Sequence, residues 1–357
     1  MLSPDQVYTQ LCSQQLDHMR PIDPSEKMML GSDVDINQLS PMKYPWAYDF
    51  FNDGISNNWT PEETPMSDDI AQYKRGQLTE EEKHVFVNVL AYLTTSDIMV
   101  ARNIATALFD KLPVPEVQLF LGRQTFEEGL HQKSYQHCIE TLNLDQGYVY
   151  NLYRTIPEIY QKLIISQSYT DALTDPAYSV KGSIETTKFF LQALIFYGLG
   201  FEGIWFYNGF TPVFALQRMG KMKGTGEQFQ YIMRDEALHA RFYTRAIRQI
   251  IIENPQIWDD DMRERAIEVF KTVVRSEEIY IGYIMRDPIL GYNKEMHVEQ
   301  AKWLANLRGK QIGLPDIFPG AERTVPWLDE QANVRKEKNF FETRVNEYQS
   351  AGTLRWD

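Results

Sequence analysis

The chain has 357 residues, 43% hydrophobic and 24% charged, enough for one large core or two domains. Its net charge of −13 argues against a general nucleic-acid or acidic-membrane binder, which would carry a basic face. Cys12 and Cys138 are the only cysteines and form no CxxC, which excludes a disulfide framework.

The N-terminus, Met1-Leu-Ser-Pro-Asp-Gln, shows no basic region leading into an apolar run, so the expected location is cytoplasmic. Residues 1–45 are polar and spotted with proline, and read as an irregular arm with short helices. Trp46-Ala-Tyr-Asp-Phe-Phe begins a helix that ends near Asn57-Asn58-Trp59-Thr60-Pro61. The capping box Thr79-x-x-Glu82 opens a long helix to about Leu108, and Asp97 lies within it. Pro113 and Pro115 mark a loop. A second long helix follows from about Glu116 to Leu142 and carries Glu128 and His131. Residues 147–176 predict one or two further helices, closed by Asp175-Pro176.

The next helix, about Ser183 to Leu216, carries Glu202. Its stretch 189–206 is apolar nearly all round and of borderline length for a membrane span. It contains Gln192 and Glu202, lacks a basic flank and is the only such segment, so it reads as a buried core helix. Gly220, Gly224 and Gly226 predict a break. A helix from Glu227 to Glu253 then carries Glu236 and His239 and ends at Asn254-Pro255. Residues 259–285 and 294–308 are two more amphipathic helices, and Gly and Pro recur from Gly309 onward. Strand signals are almost absent. The expected architecture is all-α: an arm (1–45), one helical domain (46–310) and an irregular C-terminal tail (311–357).

Glu236 and His239 are three residues apart and share a helix face. One such pair is weak evidence, but Glu128 and His131 repeat it. Asp97 lies 31 residues before Glu128, and Glu202 lies 34 before Glu236, each gap fitting one antiparallel helical hairpin. The chain thus reads carboxylate, E-x-x-H, carboxylate, E-x-x-H. The six groups Asp97, Glu128, His131, Glu202, Glu236 and His239 match the ligand arrangement of ferritin-like di-iron and di-manganese bundles. Oxygen-rich ligation with one imidazole per metal suits Fe or Mn better than a thiolate-seeking ion. A carboxylate in the most apolar helix would be costly if ionised and unpaired, and ligation explains Glu202. His18, His84, His137 and His297 lack a matching carboxylate and read as structural or surface residues.

Beyond these ligands the sequence resembles the radical-generating small (beta) subunit of class I ribonucleotide reductase, over roughly residues 46–250 and the end of the tail. Tyr135, four residues after His131, sits at the position of that family's radical tyrosine. Phe206, Phe210 and Ile232 match the apolar pocket around it. Trp59 in Trp-Thr-Pro-Glu-Glu is similar to the family's relay tryptophan. Asp235 matches the residue linking that tryptophan to a metal-bound histidine, here His131. Tyr348 resembles the tail tyrosine that passes the radical onward. Some features fall outside this pattern: Tyr231 and the tail wording are similar to the branch that uses a Mn/Fe pair. That branch has Phe where this chain has Tyr135 and Glu where it has Asp97.

The resemblance implies a two-metal cofactor, Fe/Fe first with Mn/Fe or Mn/Mn as alternatives, whose reaction with O₂ oxidises Tyr135. It implies transfer through Trp59, Asp235 and Tyr348 to a large (alpha) subunit docked on the C-terminal tail, and a homodimer. That partner would reduce the ribonucleotide, because this chain lacks a redox-active cysteine pair and a phosphate-cradling loop. The alternatives are a Mn/Fe cluster as the stored oxidant, a stand-alone di-metal oxidase or hydroxylase, and a ferritin-like store.

Overall fold

The computed structural model describes residues 3–13, 21, 23–32, 37–289, 291–328 and 331. Tyr348 and most of the expected tail lie outside them. Fourteen α-helices are present among the described residues. The first group is α1 (Pro4–Ser13), α2 (Pro45–Ser56), α3 (Ser67–Lys74), α4 (Glu80–Asn103) and α5 (Pro115–Thr141). Then come α6 (Gln146–Val149), α7 (Leu152–Thr155), α8 (Pro157–Thr174), α9 (Ile184–Ile195), α10 (Tyr207–Gly209) and α11 (Thr211–Arg218). The last are α12 (Lys223–Glu253), α13 (Asp260–Ile284) and α14 (Lys294–Gln311). The described residues contain no strand beyond an isolated bridge between Ile289 and Tyr292. The all-α expectation holds.

The helices form where capping chemistry and apolar period agree. Thr79 accepts from the Glu82 N–H while Glu82 accepts from the Thr79 N–H, which fixes the start of α4. α5 opens on Pro115, whose missing N–H is one that no helix start can satisfy internally. α4 packs on α5, and α12 packs on the segment that follows α9. The arm is tied down rather than loose. The Lys27 ammonium lies 3.0 Å from the buried Glu116 carboxylate at the start of α5, which also accepts from the Tyr44 N–H.

Two features depart from the sequence reading. The apolar helix expected over 183–216 is not uniform: α9 ends at Ile195 and passes into a π-helical segment, Phe196–Phe206, that carries Glu202. An all-apolar stretch has no face to mark such a change of winding. Gly198 is needed there, because a Cβ at that position would come 2.2 Å from the Tyr243 Cβ on α12. Two helical stretches, Glu80–Lys111 and Ile184–Arg218, are apolar enough to match a membrane span, where the sequence reading recognised one. Both are mostly buried within the protein, consistent with core helices.

The second departure is the start of α12. Gly224 and Gly226 lie inside its first turns instead of forming a break, and the helix begins at Lys223 after Met222 in the left-handed region. Its cap comes from another helix. The buried Asp69 carboxylate of α3 accepts from the Gly224 N–H (3.0 Å), the Thr225 N–H (2.7 Å) and the Thr225 hydroxyl (2.8 Å). A carboxylate on a helix N-terminus satisfies orphan donors and complements the dipole. Replacing Asp69 with Ala leaves those donors buried and unpaired, so we expect a loss of about 2 kcal/mol in urea unfolding. Unchanged stability would show that Asp69 does not anchor this helix.

Candidate metal centre

Four elements bring the six predicted residues together: α4 with Asp97, α5 with Glu128 and His131, the π segment with Glu202, and α12 with Glu236 and His239. All six are at most 1% exposed. They fall into two groups that could each hold an ion: Asp97, Glu128 and His131, and Glu128, Glu202, Glu236 and His239.

The imidazoles set the polarity of the site. The Nδ1 atom of each histidine faces the carboxylates. His131 Nδ1 lies 3.7 Å from Asp97, 3.7 Å from Glu128 Oε2 and 3.2 Å from Glu236 Oε1. His239 Nδ1 lies 3.4 Å from Glu128 Oε1, 3.5 Å from Glu202 and 3.1 Å from Glu236 Oε2. Glu128 and Glu236 therefore each direct one oxygen to one histidine and the other oxygen to the second. Asp97 and Glu202 each serve one side.

The donor set fits two divalent ions. Both Asp97 oxygens, Glu128 Oε2, Glu202 Oε2, Glu236 Oε1 and His131 Nδ1 are buried without a hydrogen-bond partner among the described residues. Orphan acceptors at this density are costly unless a cation meets them. Four carboxylates also balance the charge of two dications. Without ions, burial and the neighbouring Glu128 charge push the Asp97 carboxyl well up. Burial and Glu202 push Glu128 up, and burial with Glu202 and Glu128 pushes Glu236 well up. Ligand type does not choose between Fe and Mn.

Outside the cluster, each histidine is held from the other helix. His131 Nε2 on α5 lies 3.4 Å from Asp235 on α12, and His239 Nε2 on α12 lies 2.8 Å from Glu127 on α5. Asp235 and Glu127 each immediately precede a cluster glutamate, so the sequence repeat extends to them. Each has an arginine: Arg234 beside Asp235 at 3.2 Å and Arg123 beside Glu127 at 2.8 Å. Both arginines reach one loop, Arg234 to the Asn57 carbonyl and Arg123 to the Asn58 side chain at 3.2 Å. Such outer partners fix ring tautomer and orientation. Sequence reasoning found Asp235 and missed Glu127, although its place before Glu128 was a usable signal.

Asp235 also accepts from the Trp59 indole N–H at 2.8 Å, and Trp59 is 1% exposed. Burial raises the Asp235 carboxyl, but hydrogen bonding to His131 and the Arg234 charge outweigh it and hold the group low. Tyr231, at 4.8 Å and 7° between planes, stacks on Trp59. Tyr135 is fully buried, its hydroxyl has no hydrogen-bond partner among the described residues, and Asp97 is the strongest charge acting on it. Its ring meets Phe229 edge-on at 5.7 Å, and Phe229 meets Phe210, which stacks on Phe206. Phe229 is the ring in direct contact, and the sequence reading missed it. Tyr243 sits four residues after His239, as Tyr135 does after His131, and is also buried.

Comparison with known proteins agrees with this geometry. The family described as "Ribonucleotide reductase, small chain" matches residues 36–326. The "Ribonucleoside-diphosphate reductase subunit beta" of Chlamydia pneumoniae is 37% identical, over 95% of this chain and 97% of that protein. The protein of the same name from Treponema pallidum is 27% identical, over 92% of each chain. Among solved structures, the ribonucleotide reductase R2 subunit from Clostridium botulinum aligns with a TM-score of 0.77 at 26% identity. It covers 86% of this chain and 94% of that one.

Loading metal must displace the protons that the raised Asp97, Glu128 and Glu236 carboxyls retain. The sign follows: affinity rises with pH, and its loss on acidification begins nearer neutrality than for ordinary carboxylates. Adding Fe(II) or Mn(II) anaerobically to metal-free protein should release protons in a pH-stat. Bound metal should fall between about pH 7 and about pH 5. No proton release and a flat pH profile would contradict this.

Proposed function

The chain belongs to the family of class I ribonucleotide reductase small subunits, and we propose that it generates and stores a radical on Tyr135 for a separate large subunit. The observation that carries this reading is the isolation of Tyr135: fully buried, met edge-on by Phe229 and under the Asp97 charge. Two bound metal ions would supply the oxidising power from O₂, with iron proposed first. Asp97, Glu128, His131, Glu202, Glu236 and His239 would hold them.

The rest of the chemistry rests on this chain's own residues. Burial, with the Asp97, Glu236 and Glu128 carboxylates, pushes the Tyr135 phenol far above its usual range, so no phenolate forms. Its electron and proton would therefore leave together, with Asp97, the carboxylate acting most strongly on the phenol, proposed to take the proton. The dry aromatic surroundings keep reductants and water from the oxidised ring. Trp59 and Asp235 carry the charge outward: the indole N–H donates to a carboxylate that Arg234 and His131 keep ionised. An electron leaving Trp59 can thus be matched by a proton shift along an existing hydrogen bond.

A stand-alone oxidase would need room for a substrate beside the ions, and the fully buried rings of Tyr135, Phe206 and Phe210 argue against such room. The test is an EPR spectrum after loading metal-free protein with Fe(II) and admitting O₂. A stable organic doublet, absent in Tyr135→Phe, is the expected result. If iron alone gives no radical but manganese with iron gives an oxidised cluster, the cluster stores the equivalent and Tyr135 does not.

The handoff is proposed to run through Tyr348 and the C-terminal tail, which docks as an extended peptide on the large subunit. Deleting residues 340–357 should abolish nucleotide reduction in the reconstituted complex while leaving the stored radical intact. Full activity after deletion would sink the tail role.

A further inference from the structure

A second buried ionic cluster lies beside the metal-binding helices and takes no part in ligation. Lys162 on α8 is 1% exposed, and its Nζ lies 2.5 Å from Glu277 Oε2 on α13. The other Glu277 oxygen lies 2.5 Å from His297 Nε2 on α14, whose Nδ1 is hydrogen-bonded to the Tyr292 hydroxyl. The ammonium is roofed by three aromatic faces: Tyr92 at 3.9 Å, Tyr280 at 4.3 Å and Trp205 at 4.8 Å from the ring centroids. Burial lowers the Lys162 amine to about 8, and Glu277 opposes that shift, so it is charged at neutral pH.

These rings are oxidisable and close to the metal-binding residues. Tyr92 shares α4 with Asp97, near enough for the Asp97 charge to act on its phenol. Trp205 lies three residues after Glu202 in the same π segment, and it touches Phe201, which touches Phe206. Tyr92 and Tyr280 are themselves in contact, with centroids 4.9 Å apart. An oxidant strong enough for Tyr135 would meet here a route into the wrong part of the core. Fold stability is a weak reason for keeping a buried ion pair, because well-packed neutral residues often replace one at little cost.

We propose that Lys162, locked to Glu277, is an electrostatic insulator that prevents Tyr92, Tyr280 and Trp205 from giving an electron to the oxidised metal centre. This rests on the radical-generating reading above. A cation over a reduced ring is attracted by the negative π face. Removing one electron from the ring turns that attraction into repulsion between two positive charges. Oxidation of either tyrosine would reduce the metal centre by one electron and release a phenolic proton, which needs a base. Tyr92 and Tyr280 have buried hydroxyls with no hydrogen-bond partner among the described residues, and both oxygens of the adjacent Glu277 are occupied. The Trp205 N–H donates to the Val273 carbonyl at 2.9 Å, which is no base either. Tyr135 differs in its charges: those acting on its phenol are the Asp97, Glu236 and Glu128 carboxylates, whereas an ammonium lies over the rings of Tyr92 and Tyr280.

The test compares the parent protein, Lys162→Met with Glu277→Gln, and Lys162→Arg. Each is loaded with metal and O₂ and followed by EPR without the large subunit. The neutral pair should lose its stored oxidising equivalent on the order of tenfold faster than the parent. It should also show transient signals that change when ring-deuterated tyrosine or tryptophan is incorporated. Lys162→Arg should behave as the parent does. Equal decay in the neutral pair, with its melting temperature retained, overturns the proposal. If the neutral pair does not fold, Lys162→Met alone removes the ammonium and leaves Glu277 with His297, and decay equal to the parent there overturns the proposal. An oxidised cluster without a tyrosyl signal in the parent removes the Tyr135 reading, yet the decay comparison still decides this one. A parent that stores no equivalent with any metal overturns both.

Discussion

Everything in this protein is arranged around a set of buried negative charges that the polypeptide alone does not neutralise. Asp97, Glu128, Glu202 and Glu236 converge between four helices with two imidazoles and no lysine or arginine in the two groups. Removing a carboxylate from water costs several kcal/mol even after relaxation. The chain meets that cost elsewhere, through a large continuous apolar core and through helices fixed at their ends, as Asp69 fixes α12. Two divalent ions complete the charge balance. The inward Nδ1 and outward Nε2 of each histidine then follow, since a ring that meets an ion on one side needs a partner on the other.

The outer layer repeats the logic with protein cations. Asp235 and Glu127 add two more buried carboxylates, and Arg234 and Arg123 compensate them. The crossing matters mechanically. Each histidine is oriented by the helix that carries the other histidine, so α5 and α12 cannot shift independently without disturbing both rings. Both arginines end on Asn57 and Asn58, the residues that lead into Trp59. The two sides are nevertheless unequal, because Asp235 alone of the two carboxylates also holds an indole.

Much of this was legible in the sequence, and the illegible parts share a physical reason. The doubled E-x-x-H and its leading carboxylates are periodic features, and helical geometry converts spacing directly into a shared face. Capping boxes and prolines placed α4 and α5 for the same reason. Glu127 was readable in principle, since its position mirrors Asp235, but beside Glu128 it looks like an ordinary solvated charge. The π segment was not readable: where every position is apolar, no pattern reports a change from 3.6 residues per turn. Phe229, the Tyr231 stack on Trp59, and the Lys162–Glu277–His297 chain join residues far apart in sequence, with nothing local to announce the pairing.

On the radical-generating reading proposed above, an oxidant inside an aromatic core must be selective, and local charge is what could supply that selectivity. Tyr135, Tyr243, Tyr92 and Tyr280 are all buried tyrosines, and burial pushes every one of their phenols well above the usual range. Burial therefore cannot distinguish them. Local charge can. The charges that act on Tyr135 are carboxylates, led by Asp97, whereas Tyr92 and Tyr280 flank an ammonium and a carboxylate already bound on both sides. Tyr243 occupies the matching place on α12, but beside it lies the neutral amide of Gln124, whose NH₂ group points to Glu202 at 2.9 Å. An amide cannot take a phenolic proton as a carboxylate can. These four rings of one core thus differ in the cost of losing an electron, according to which neighbour could receive the proton.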